Sequence, residues 1–142
     1  MPYIVQADLS EKVSTAELIQ LTDDAKLGVV DTTVVAKLIA SAEAEIDGYL
    51  ATRYAVPLAA PVPTLVKKWA VDLTVYNLYL RRRRVTEDAQ RAYDDAIKQL
   101  RDTAKGLLTL GLDPPPARSA LSSQGAVLSN ESAWSRDKLD DF

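Results

Sequence analysis

Apolar residues recur at steps of three and four along two successive stretches of this chain, separated by a proline-rich interruption. In the first stretch Val35, Leu38, Ile39, Ala42, Ile46, Tyr49, Leu50 and Tyr54 line one side of a helix that Asp31 caps. The segment from Tyr54 to Pro63 then carries Pro57, Pro61 and Pro63. Each proline lacks a backbone donor and biases its predecessor away from the helical region, so no helix runs through. From Thr64 the period resumes with Leu65, Val66, Trp69, Ala70, Leu73, Tyr76, Tyr79 and Leu80, a face wide enough to meet more than one neighbour. The pattern predicts a helical hairpin, with Arg53, Tyr54 and Pro57 as its structural corner.

A third long helix follows. Thr86 caps it, and Glu87 and Asp88 occupy the first turn, where the helix dipole favours negative charge. Ala89, Ala92, Tyr93, Ala96, Ile97, Leu100 and Ala104 supply its inward side, and Gly106 reads as a left-handed stop with Leu107 folding back onto the last turn. Ahead of the hairpin, Met1 to Gln6 reads as an extended arm and Asp8 as the cap of a short turn through Val13. Ser14-Thr15-Ala16-Glu17 has capping-box spacing before Leu18, Ile19 and Leu21, and Thr22 to Val30 reads as a loop. The expected fold is all-α: a compact bundle of three long helices plus one or two short N-terminal helices, with an extended C-terminal tail.

The boundary falls near Leu112, giving a helical domain over residues 1–112 and a Pro/Ser-rich tail over 113–142. Pro114-Pro115-Pro116 and the scattered Ser119, Ser122, Ser123 and Ser129 offer little to bury against the entropy of ordering. The last nine residues nevertheless set Trp134, Leu139 and Phe142 among five charges. Large apolar side chains after such a linker suit docking, either into a partner's pocket or back onto the chain's own domain.

Composition narrows the chemistry. At 142 residues one core suffices, burying roughly two thirds of the unfolded chain's surface. The chain is 47% hydrophobic and 26% charged, with no apolar run near the roughly 20 residues of a membrane span. No basic segment followed by an apolar one opens it, so no secretory signal and a cytoplasmic site of synthesis are expected. There is no cysteine and no histidine, which removes thiolate chemistry, the commonest general base and the commonest metal ligands. No phosphate-cradling glycine loop and no nucleophile elbow is present, so no catalytic residue, metal or cofactor is expected.

Arg81-Arg82-Arg83-Arg84 is the strongest charge feature in a chain of net charge -3. It reads either as a phosphate grip or as a helix C-terminal turn that makes subunit contacts. The acidic groups Asp23 with Asp24, Glu43 with Glu45 and Asp47, and Asp94 with Asp95 read as solvated surface, since adjacent helical positions diverge by about 100 degrees. Asp72 differs, because it lies between Trp69 and Tyr76 on an apolar side and must be paired if buried. Arg53 is the expected partner, in a structural bolt. Asp72 is also the residue on which an undetected enzyme would depend.

Beyond these patterns the chain resembles the short helical proteins of Mu-like tailed phages and prophages that serve as head-tail connector, or head-completion, proteins. The likeness rests on Tyr3 to Leu9, Leu21-Thr22-Asp23, and above all Ala42 to Tyr54 running into Val56-Pro57-Leu58. Asp72 with Tyr76, Leu78-Tyr79, Tyr93 to Ile97 with Leu100, Gly106 to Gly111 and Ser135-Arg136-Asp137 extend it over nearly the whole chain. The resemblance implies a non-enzymatic virion component in the neck, assembled in the bacterial host cytoplasm as a homo-oligomeric ring of about twelve copies. Its implied partners are the portal protein and a tail-completion or tail-terminator protein, with DNA only as cargo. On this reading the wide Leu65 to Leu80 face and the Arg81 to Arg84 run, opposite an acidic patch on the next copy, supply the ring contacts. Trp134, Leu139 and Phe142 supply the docking terminus. The alternative is a small helical nucleic-acid-binding or regulatory protein using the arginine run.

Overall fold

The computed structural model describes residues 2–112, and these are all-helical. A 3-10 turn, Gln6–Glu11, precedes four α-helices: α1 (Thr15–Thr22), α2 (Thr32–Leu50), α3 (Thr64–Arg81) and α4 (Glu87–Ala104). The tail beyond Leu112, with Trp134, Leu139 and Phe142, lies outside the described residues. No described helix is long and apolar enough to cross a membrane.

Helix starts follow local chemistry. The Asp31 carboxylate accepts from the backbone N–H groups of Thr33 at 3.0 Å and Val34 at 3.2 Å, and the Thr86 hydroxyl accepts from Ala89 at 3.2 Å. The Ser14 hydroxyl caps α1 through the Glu17 N–H at 3.3 Å. The other half of that capping box is given up, because the Glu17 carboxylate turns instead to the Tyr79 hydroxyl. Asp8 also departs from expectation. It sits inside the 3-10 turn and reaches back to the Val5 N–H at 2.7 Å, so the turn begins earlier than the sequence suggests.

The long helices pack around α3. Val35, Ile39, Ala42, Ile46 and Leu50 of α2 close on one side of it and Ala96, Ile97 and Leu100 of α4 on another, with Leu9, Val13 and Leu18 of the N-terminal segment joining the same core. Every residue from Trp69 to Val75 is buried, including Val71, Thr74 and Val75, which the three-four period leaves out. Conversely Leu80, at the end of the predicted apolar face, is 49% exposed. Much of the wide face of α3 is therefore covered within the chain's own bundle, while Leu80 stays open.

Both ends of the α3–α4 pair stop in the same way. After α4, Gly106 adopts φ 84, with Gly106 N–H bonded to Thr103 O at 3.1 Å and Leu107 N–H to Asp102 O at 2.8 Å, a Schellman closure. The backbone folds back as expected, but the Leu107 side chain does not, and is 76% exposed. The reason is chemical: the residues it would fold onto are Arg101 and Asp102, and Leu108, Leu110 and Leu112 pack against the core in its place. After α3 the same bonds run from Arg83 to Leu80 O at 2.9 Å and Arg84 to Tyr79 O at 3.0 Å, with an arginine, Arg83, in the left-handed position at φ 55.

Candidate functional site

The polar side chains of the described residues are used to brace the bundle in three places. At the C-terminal end of α3, Asp24 in the loop after α1 receives two guanidinium groups. Arg81 pairs with it through both terminal nitrogens, one at 3.1 Å, and Arg82 Nη2 approaches Oδ1 at 2.7 Å. The same arginines also donate to the Leu21 carbonyl, Arg81 at 3.1 Å and Arg82 Nε at 3.3 Å, satisfying an orphan acceptor at the end of α1. Hydrogen bonding from Arg81 holds the Asp24 carboxyl below the usual carboxylate range. Half of the arginine run, Arg81 and Arg82, is thus paired within the chain. Arg83 and Arg84 are exposed and form no ion pair among the described residues.

The second brace is Asp72, whose side chain is completely buried. Its expected partner is wrong. Oδ1 meets Lys12 Nζ and Oδ2 meets Lys68 Nζ at 2.9 Å, the latter one turn earlier on the same helix. Arg53 instead lies over Gly106, close enough that its guanidinium fills the space a β-carbon would take there. Arg53 follows the end of α2 and lies over Gly106, just past the end of α4, whereas Asp72 sits midway along α3. The i, i+4 relation of Lys68 to Asp72 was the overlooked signal. A cleft of about 310 Å³ borders this centre, lined by Lys12, Asp72, Tyr79, Thr86 and Asp88.

Tyrosine–carboxylate bonds form the third brace. The Tyr3 hydroxyl donates to Asp47 and accepts from the Leu58 N–H at 2.9 Å, while Glu43 Oε1 takes the N–H groups of Tyr3 and Ile4. One N-terminal residue thereby ties α2 to the proline corner. Tyr54 is buried beneath that corner and accepts from the Leu110 N–H at 3.1 Å; Pro57 follows a cis peptide bond on its exposed side. Tyr93 donates to Glu45 at 3.2 Å and stacks on Tyr76 with ring centroids 4.1 Å apart. Burial pushes the hydroxyls of Tyr3, Tyr79 and Tyr93 each up to about 12, reinforced by Asp47, Glu17 and Glu45 respectively. Glu43, Glu45 and Asp47 are consequently fastened groups and not the solvated surface read from the sequence.

This arrangement defines a class: a small helical protein whose acids and bases hold helices together. Among the described residues no buried polar side-chain atom lacks a hydrogen-bond partner, and no three carboxylates converge as a metal site. A family model described as "Bacteriophage Mu, Gp36" matches residues 3–128, and the chain belongs to that family. It is 31% identical over 129 residues to "Gene product J" of Escherichia phage Mu, covering 90% of this chain and 87% of the relative. It is 30% identical over 114 residues to "Mu-like prophage FluMu protein gp36" of Haemophilus influenzae, covering 80% and 78%.

Proposed function

We propose that this protein is a non-enzymatic head-tail connector, a ring of about twelve copies in the phage neck between the portal and the tail. Membership of the phage Mu Gp36 family, over residues 3–128, is the observation that carries this reading. The bracing chemistry is consistent with it, since Asp72, Asp24 and the tyrosine–carboxylate bonds serve rigidity. The phosphate-gripping alternative is weakened, because Arg81 and Arg82 are already closed on Asp24 and the Leu21 carbonyl.

Electron microscopy of a lysate in which this gene is disrupted tests the reading. Filled or leaking heads lying apart from finished tails are expected. Intact, tailed, infectious particles would refute it.

A further inference from the structure

Two apolar features of opposite shape lie far apart on the described surface. The concave one is a groove of about 250 Å³ between the N-terminal arm and the first half of α2, lined by Pro2, Ile4, Val5, Val35, Ala36 and Ala40 among others. Its rim is open, since Val5 is 54% exposed and Ala36 and Ala40 are exposed on the small-residue side of α2. Glu43 also lines it, and only its Oε1 is occupied by the Tyr3 and Ile4 N–H groups. The convex one is Leu107, 76% exposed on the Schellman turn that closes α4. That turn lies at the other end of α2, beside Arg53 and within reach of Thr52, whose hydroxyl approaches Ala104 O at 3.5 Å. At about 1.5 Å per residue, the groove centre and the end of α2 are roughly 15–20 Å apart. The turn is cationic: Arg53 and Lys105 flank Leu107, both exposed and neither in an ion pair among the described residues.

A knob and a hole at separate places on one chain are the requirements of a heterologous contact, which closes into a ring when its rotation permits and cannot be met by a two-fold face. We propose that Leu107 of one copy seats in the groove of the next, with Arg53 and Lys105 brought toward the free oxygen of Glu43. This rests on the ring reading and says which surfaces make the ring. The occupant is a second copy because shape and charge both match: the apolar concavity with its acidic wall receives an apolar projection between two cations.

The absence of native cysteine makes the test clean. A full-length chain carrying Ala40→Cys and Leu107→Cys, both at exposed positions, is incorporated into particles and oxidised. A ladder of disulfide-linked dimers, trimers and longer chains is expected from the double variant and none from either single variant. Dimers from Ala40→Cys alone would mean a face-to-face contact and overturn the proposal. Particles that contain the double variant without a ladder would overturn it while leaving a ring through other surfaces. Wild-type chain absent from particles would remove the ring reading itself, and the proposal with it. Leu107→Asp is expected to lower copies per particle by about tenfold or more and Leu107→Met to preserve them, the scale of one leucine leaving an apolar pocket. Wild-type incorporation of Leu107→Asp overturns the contact however the cysteines behave. Faster maleimide labelling of Ala40→Cys in the free chain on adding Trp134→Ala and Phe142→Ala would assign the groove to the chain's own tail instead, and also overturn it.

Discussion

Replacing the two lysines around Asp72 separately and together tests the central claim about this fold, that its buried carboxylate is held by Lys12 and Lys68. The Asp72 side chain is fully buried, whereas those of Lys12 and Lys68 are 41% and 53% exposed. Either lysine alone is therefore screened, and Lys12→Met or Lys68→Met, which keeps the packing of the stem, should cost about 0.5–1 kcal/mol. With both removed the carboxylate is buried without a cation, a situation that costs about 3–5 kcal/mol. The double variant should therefore exceed the sum of the singles by at least about 1 kcal/mol. Asp72→Asn loses two charge-assisted acceptors but also the desolvation of a charge, and should cost about 2 kcal/mol. Urea or thermal unfolding followed by circular dichroism measures these, with about 2–4 °C of midpoint per kcal/mol in a chain of this size. Arg53→Met is the control, expected within about 0.5 kcal/mol of wild type. Additive lysine variants, or an Arg53→Met as damaging as Asp72→Asn, would refute the assignment.

Other consequences can be measured on the same protein. Tyr3, Tyr79 and Tyr93 have hydroxyls raised from 10.0 to about 12, so the folded state favours their protonated forms. Their contribution to stability is complete below pH 10 and lost as pH rises toward 12; alkaline difference absorbance of the wild type against single Tyr3→Phe, Tyr79→Phe and Tyr93→Phe variants should show each of these three titrating late, and their titration near 10 in the folded chain would contradict the bonding. The depressed Asp24 carboxyl has the opposite sign, its clasp on Arg81 being present above the ordinary carboxylate range and lost as pH falls through the folded value. Arg83→Gly relieves a left-handed backbone and should raise stability by about 0.5–1 kcal/mol despite removing a charge, read as a higher urea midpoint. Asp24→Asn frees Arg81 and Arg82, and should give filter-retained DNA at low salt that is lost steeply with added salt, whereas wild type should bind no free DNA at physiological salt.

Much of the bundle was legible from local rules. The period of Val35, Ile39, Ala42, Ile46 and Leu50, the caps Asp31 and Thr86, the proline break and the glycine stop each depend on residues within one turn of one another, and each stands where the sequence placed it. Local rules do not settle the partner of a side chain that has distant choices. Glu17 has a local partner across its capping box and takes Tyr79, sixty-two residues away. Asp72 takes Lys12 and Lys68 over Arg53, and Asp24, which reads as solvated surface, takes Arg81 and Arg82. The buried side of α3 was underestimated because a period describes one stripe, while a central helix is covered from several directions at once. Sequence by itself determined where helices begin, end and turn an apolar side inward, since those depend on backbone donors, caps and spacing. Only the tertiary structure decided which charge meets which and which apolar groups stay outside, because ion pairs and exposure depend on where distant helices bring their side chains.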